Sequence, residues 1–201
     1  MIAIIDYDAG NLKSVEKALV SLGEDTIITR SFSEILSADK VILPGVGAFG
    51  DAMAQLKKYE LDKVVHEVAE MKKPLLGICL GLQLMFESSE ETPGVEGLHL
   101  LDGKIYRIPD AEGIKIPHIG WNSLDFPKES RLFHGISPQA YVYFVHSYYL
   151  KAADEKIVAA TTEYSTHIHA AVEQGNIFAC QFHPEKSSTV GLQILKNFAE
   201  L

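Results

Sequence analysis

The sequence predicts an α/β fold: a parallel sheet with helices on both faces, joined in its second half by mixed or antiparallel strands. Three observations lead there. Up to about residue 80, short apolar runs alternate with stretches whose apolar residues recur at helical spacing, the pattern of strands connected by crossover helices. From residue 98 onward, strand-like runs follow one another with few helices between them. The 201 residues are 47% hydrophobic and 22% charged, enough for a well-filled core in an ordinary globular chain.

The elements follow in order. Ile2 to Tyr7 reads as a strand ending in the turn Asp8-Ala9-Gly10-Asn11. Leu12, Val15, Leu19 and Leu22 then mark one face of a helix, and Gly23 is a C-terminal stop. Thr26 to Thr29 and Val41 to Leu43 are a second and a third strand. Leu61, Val64, Val65, Val68 and Ala69 form an amphipathic helix that stops ahead of Pro74. Leu75 to Ile78 is a fourth strand, and Leu82 to Glu87 has helical composition. Strands are then expected over Leu98 to Pro109, Ile116 to Phe126, Tyr141 to Leu150, Ile157 to Tyr164 and Ile168 to Phe182. Gly175-Asn176 is a hairpin signal inside the last of these, and a closing helix begins near Ser188.

A net charge of −9 argues against a nucleic-acid backbone or an anionic membrane as the main partner. No run of eighteen apolar residues exists to span a bilayer. Met1 to Ile5 runs into Asp6 without a basic leader, so it reads as a first strand. Two cysteines make a disulfide framework unexpected, and a reducing cytoplasm is the expected setting.

Chemistry concentrates at Gly77-Ile78-Cys79-Leu80-Gly81. A side chain at a sharp strand-to-helix turn projects from the sheet, and flanking glycines relieve backbone crowding there. The amides opening the next helix favour a thiolate. A buried structural cysteine is the alternative; the paired glycines favour a nucleophile. Such a thiol needs a base. Of eight histidines, His66 falls on the polar side of a helix, while His99 and His134 sit in turn-like contexts. His183 ends the run Ile177 to Glu185, where alternation sends Phe178, Cys180 and Phe182 to one face and Ala179, Gln181 and His183 to the other. Cys180 is thereby a core thiol. Glu185 can return to the side of His183 and orient its ring, or it can simply answer the dipole of the closing helix. Pro44-Gly45-Val46-Gly47-Ala48-Phe49-Gly50 is no P-loop, lacking a following G-K-[ST]. Its amides can serve a developing oxyanion, or it can be a plain strand-to-helix loop. His167 and His169 share a strand face near Glu163 but lack further ligands at zinc spacing, so they read as paired surface histidines and no metal is expected. Ser147 has no nucleophile elbow around it.

Taken together these segments closely resemble the class I, triad-type glutamine amidotransferases, and within them the glutaminase subunits of imidazole glycerol phosphate synthase. The resemblance spans the chain: I-I-D-Y-D-A-G-N, P-G-V-G-A-F-G, G-I-C-L-G-L-Q-L-M-F-E, S-E-E-T-P-G-V-E-G-L, P-H-I-G-W-N, Y-F-V-H-S-Y-Y and Q-F-H-P-E-K-S-S. It implies a flavodoxin-like sheet and one glutamine amidotransferase type 1 domain over residues 1–201. It implies Cys79 as nucleophile, His183 as base and then acid, and Glu185 as its orienting partner. The Leu80 amide and an amide of Gly45, Val46 or Gly47 would meet the oxyanion, and Gln83, His146, Ser147 and Tyr148 would hold glutamine. No cofactor is implied. The partner implied is a (β/α)8-barrel cyclase that takes the ammonia and makes imidazole glycerol phosphate and a carboxamide ribotide in histidine biosynthesis. Asn11, Pro117, His118, Ile119, Gly120, Trp121, Asn122 and Lys186 match the side that meets it. Trp121, the one tryptophan, suits an interface anchor, or a core ring over the second-half strands. Two other functions stand as alternatives: a glutaminase serving another synthase, and a non-catalytic binding module on the same scaffold.

Overall fold

The computed structural model describes residues 1–201. It begins as an alternation of strands and helices: β1 (Ile2–Ile5), α1 (Leu12–Ser21), β2 (Thr26–Thr29), α2 (Phe32–Ser37), β3 (Lys40–Leu43), α3 (Phe49–Lys58), α4 (Leu61–Glu70), β4 (Leu75–Ile78) and α5 (Leu80–Leu84). Short β5 (Ser88–Ser89), β6 (Gly103–Arg107), β7 (His118–Ser123), β8 (Tyr141–His146), β9 (Tyr148–Ala152), β10 (Val158–Tyr164), β11 (Thr166–Gln174), β12 (Ile177–Cys180) and α6 (Ser188–Ala199) complete the chain. The main sheet runs β10-β11-β12-β4-β3-β1-β2. Its β12, β4, β3, β1 and β2 are mutually parallel, and β10 and β11 extend it antiparallel.

Strand parity divides the core into two layers. Ala3 and Ile5 of β1 join Val41, Leu43 and Leu75 against α2, α3 and α4. Ile2 and Ile4 join Leu76, Ile78, Phe178 and Cys180 against α1 and α6. Both faces of the parallel strands are therefore covered, which is why β1 and β3 read as unbroken apolar runs rather than alternating ones. Because the central strands are parallel, the carboxyl ends of β1, β3, β4 and β12 open on one edge, where ligands of such sheets bind.

The second half differs from the expected run of long strands. Residues 98–101 are not β-structure: the amides of Leu98, Leu100 and Leu101 turn back onto the carbonyls of Leu84 and Met85. They satisfy the exposed end of α5, which therefore stops at Leu84 rather than running to Glu87. The expected strand from Tyr141 to Leu150 breaks at Ser147. Its first half pairs antiparallel with β7 and its second half with β6, in two separate small sheets. That break turns His146, Ser147 and Tyr148 toward the sheet edge instead of continuing a regular strand.

Candidate active site

Cys79 stands at the tip of β4 with φ 56° and ψ −109°, an uncommon conformation for a residue with a side chain. The flanking glycines make that turn possible by close approach. A Cβ on Gly81 would lie 1.9 Å from the Leu43 carbonyl oxygen, and one on Gly77 would lie 2.8 Å from the Gly81 oxygen. The elbow is also stitched to β12, since the Cys79 amide donates to the Cys180 carbonyl at 2.8 Å. The β12–β4 register pairs Cys180 with Ile78, so the next residues, Gln181 and Cys79, emerge side by side.

His183 follows two residues later. Its amide donates to the Tyr143 carbonyl at 3.0 Å. The Ser187 hydroxyl donates to the His183 carbonyl at 2.6 Å and accepts from the Tyr143 amide at 2.9 Å. Pro184 starts the one-turn helix Pro184–Lys186, where a residue without an N–H costs nothing. This clamp onto β8 holds Glu185 beneath the ring: His183 Nδ1–H donates to Glu185 Oε1 at 2.8 Å, with side chains 2% and 1% exposed. Burial opposes charge on the imidazole. The adjacent Cys79 and the hydrogen-bonded Glu185, with their negative charge, outweigh it and raise the ring to about 9. Nε2 and Glu185 Oε2 are both buried without a hydrogen-bond partner in the chain, leaving Nε2 free for a reacting group.

Around Cys79 and His183 opens a cavity of about 480 Å³, lined also by Val46, Gly47, Leu80, Gln83, Glu91, Pro117, Val145, His146, Ser147, Tyr148 and Lys186. The glycine-rich loop after β3 forms one wall. Buried Tyr7 pins it, donating its hydroxyl to the Pro44 carbonyl at 2.7 Å; burial and the nearby Cys79 push the phenol's ionisation well upward. The Leu80 amide points at the Gly45 carbonyl at 3.4 Å, so this donor is not free in the conformation observed. Gly47, with φ 101°, gives the loop a backbone position able to reorient.

The expected glutamine-holding residues all line this cavity, but they contribute differently. Gln83 uses Nε2 on the Tyr148 carbonyl and on Gln181 Oε1, which leaves its own Oε1 for a ligand. Both ring nitrogens of His146 are engaged, with the Tyr148 carbonyl and with His118, so this histidine offers no free donor or acceptor. Burial keeps it neutral, its titration lowered to about 3. Sequence reasoning missed Glu91. Its carboxylate accepts from the Phe49 amide at 2.8 Å, and the Thr92 hydroxyl accepts from the Gly50 amide at 3.2 Å. Ala48 provides no side-chain cap for α3. The acidic segment forty residues on therefore ties α3, and the loop ahead of it, to the cavity rim. Its one local sign was a glutamate in S-E-E-T-P, a loop with nothing nearby to cap.

Some expected positions differ in the structure. His118, expected on the side that meets the partner, is buried, stacked between Phe144 and Tyr164 with centroids 4.7 and 3.8 Å away. Burial lowers it to about 4. His169 is not a surface partner of His167: it is buried and accepts from the Ala152 amide at 3.1 Å. Of the two readings of Trp121, the core ring is excluded, since the side chain is 51% exposed beside Ile119 at 59%, edge-on to Tyr143 at 6.1 Å. Pro117 and Lys186 are exposed, and Asn11, Gly120 and Asn122 are half-buried. Cys180 lies fully buried in the α1/α6 layer, where burial, then Glu185 and Cys79, push its thiol well up.

The glutamine amidotransferase class-I family matches residues 3–201. The chain is 54% identical over 200 residues to the imidazole glycerol phosphate synthase subunit HisH of Moorella thermoacetica, covering 100% of this chain and 94% of that one. It is 49% identical over 201 residues to the HisH subunit of Oceanobacillus iheyensis, covering 100% and 99%. A crystal structure of a glutamine amidotransferase superposes with a TM-score of 0.77 at 20% identity, covering 100% of this chain and 98% of the other, a likeness of fold.

Proposed function

The chain belongs to the class I glutamine amidotransferase family, and on that premise we propose that it is the glutaminase subunit of an imidazole glycerol phosphate synthase. It hydrolyses glutamine to glutamate and ammonia for histidine biosynthesis. The observation that carries the reading is the coincidence, on the floor of one cavity, of Cys79 at a strained elbow and a buried His183–Glu185 pair.

Cys79 Sγ attacks the side-chain carbonyl carbon of glutamine, and charge moves onto the carbonyl oxygen. His183 delivers its proton to the departing ammonia, leaving a glutamyl thioester. The neutral ring then takes a proton from water, whose oxygen attacks the thioester and releases glutamate with the thiolate restored. Glu185 fixes Nδ1 as the protonated nitrogen, so Nε2 is the one that exchanges protons with the reacting groups. Gln83 Oε1 and the Glu91 carboxylate are acceptors for the substrate's ammonium, while Lys186 at the rim suits its carboxylate. The oxyanion needs donors that the Gly45 carbonyl now opposes at Leu80. Turnover therefore requires the Gly45–Gly47 loop to reorient, and glutamine or a docked partner favours that state.

The partner we propose is the (β/α)8-barrel cyclase, docking on the exposed Ile119–Trp121 face of β7 next to Pro117 and Lys186 at the cavity mouth. Ammonia released into water would be protonated, so delivery across that contact preserves its nucleophilicity. The test is glutamate release with and without the cyclase and its nucleotide. A marked rise in the complex is expected; equal release in both would count against the coupled reading.

A further inference from the structure

Gln181 has no part in the triad, yet its side chain is fully buried between the reacting sulfur and a polar chain that crosses the site. That chain has a fixed direction. The Tyr148 carbonyl accepts twice, from Gln83 Nε2 at 3.1 Å and from His146 Nδ1 at 2.8 Å. A carbonyl can only accept, so Gln83 must turn its NH2 this way and His146 must carry its proton on Nδ1. The same NH2 of Gln83 also meets Gln181 at 3.0 Å, and the atom facing it has to be Gln181 Oε1. Gln181 is thereby obliged to present its own NH2 to Cys79 Sγ, 3.8 Å away. Toward the surface the logic repeats. His146 Nε2, lacking a proton, accepts from His118 Nδ1 at 3.0 Å, and His118 Nε2 faces the Asn122 side-chain amide at 3.5 Å.

We propose that Gln181 is a further residue acting on the nucleophile. Its side-chain amide donates to the Cys79 sulfur and holds negative charge there, with Gln83, His146 and His118 as positioning residues that fix the direction of that donor. Geometry leaves few other sources of such a bond. The β12–β4 register brings residue 181 beside residue 79, and the parity that makes Cys180 a core thiol is the parity that turns Gln181 toward the site. A donor of this kind discriminates between states: it is worth little to a neutral thiol and more to a thiolate, because hydrogen bonds to ionised acceptors are the stronger ones. The two histidines can keep their acceptor nitrogens because burial holds both rings neutral near pH 7.

The inference rests on Cys79 being the nucleophile, and the test separates the two. The full-length chain is alkylated with iodoacetamide across a pH series, with labelling at Cys79 read by mass spectrometry and folding followed by circular dichroism. Gln181→Met removes the donor at similar size, and Gln181→Glu sets a carboxylate against the sulfur. Gln83→Glu leaves the sulfur's neighbour in place but attracts the NH2 of Gln181 away from it. Each variant is expected to slow Cys79 alkylation at pH 7 by about tenfold, with the rate recovered about one pH unit higher. Folded variants with the wild-type pH profile would overturn the role of Gln181. If both residue-181 variants fail to fold, Gln83→Glu decides alone, by the same shift or its absence. Undiminished glutamine turnover by Cys79→Ala would instead overturn the nucleophile assignment itself.

Discussion

Glu185→Gln is the perturbation whose size the site defines most closely. The replacement keeps the shape of the side chain and an oxygen for His183 Nδ1–H, and removes only the charge. His183 titrates near 9 against an ordinary 6.5, a difference of about 3 kcal/mol in favour of its protonated form, shared between Cys79 and Glu185. Losing the Glu185 share should move the ring's titration down by a unit or more, followed by NMR of the imidazole. A general acid and base of this type contributes roughly 10²–10⁴-fold, so glutamate release by the cyclase complex should fall within that range. The stability consequence has a definite sign. A folded-state value above the unfolded one stabilises fully below about pH 6.5 and is lost as pH rises through 9. The urea-unfolding gap between wild type and variant should therefore be widest near pH 6 and narrow above pH 9. An unchanged His183 titration together with near-wild-type turnover would refute the orienting role of Glu185.

Other substitutions probe the scaffold and the outer face. Gly81→Ala puts a Cβ 1.9 Å from the Leu43 carbonyl, backbone against backbone, and should cost about 3 kcal/mol in urea unfolding. Ser187→Ala leaves the Tyr143 amide without its buried partner and the His183 carbonyl with the Lys186 amide alone, a loss of about 2 kcal/mol; turnover should fall with it as His183 loosens. Trp121→Ala should leave the stability of the free chain within about 0.5 kcal/mol. Calorimetric titration should show the same variant binding the cyclase more weakly by about 2 kcal/mol, the scale of a buried aromatic anchor.

Much of this was legible in the sequence because the relevant signals are local. The parallel half follows from apolar runs and helix periodicity within ten-residue windows, and the elbow from two glycines bracketing Cys79. Parity along residues 177–183 separated Cys180 from His183 without any tertiary information. What escaped was non-local. The cap of α3 comes from Glu91 and Thr92, so nothing near Ala48 announces where that helix begins. The carbonyls at the end of α5 are taken by residues 98–101, which shortens the helix and cancels an expected strand together. The P-H-I-G-W-N motif places His118 with its neighbours on the partner side; alternation on β7 turns it inward onto Phe144 while Ile119 and Trp121 stay exposed. The kink at Ser147 depends on two different pairing strands, which no window of sequence contains.

The sulfur at the tip of β4 carries the proposed chemistry. Its measurement is glutamate release by the Cys79→Ala chain in complex with the cyclase, with circular dichroism and cyclase binding followed in parallel. The predicted result is loss of glutamine hydrolysis with fold and partner binding retained, while added ammonia still supports the cyclase. Glutamate release at the wild-type rate from that variant would contradict it.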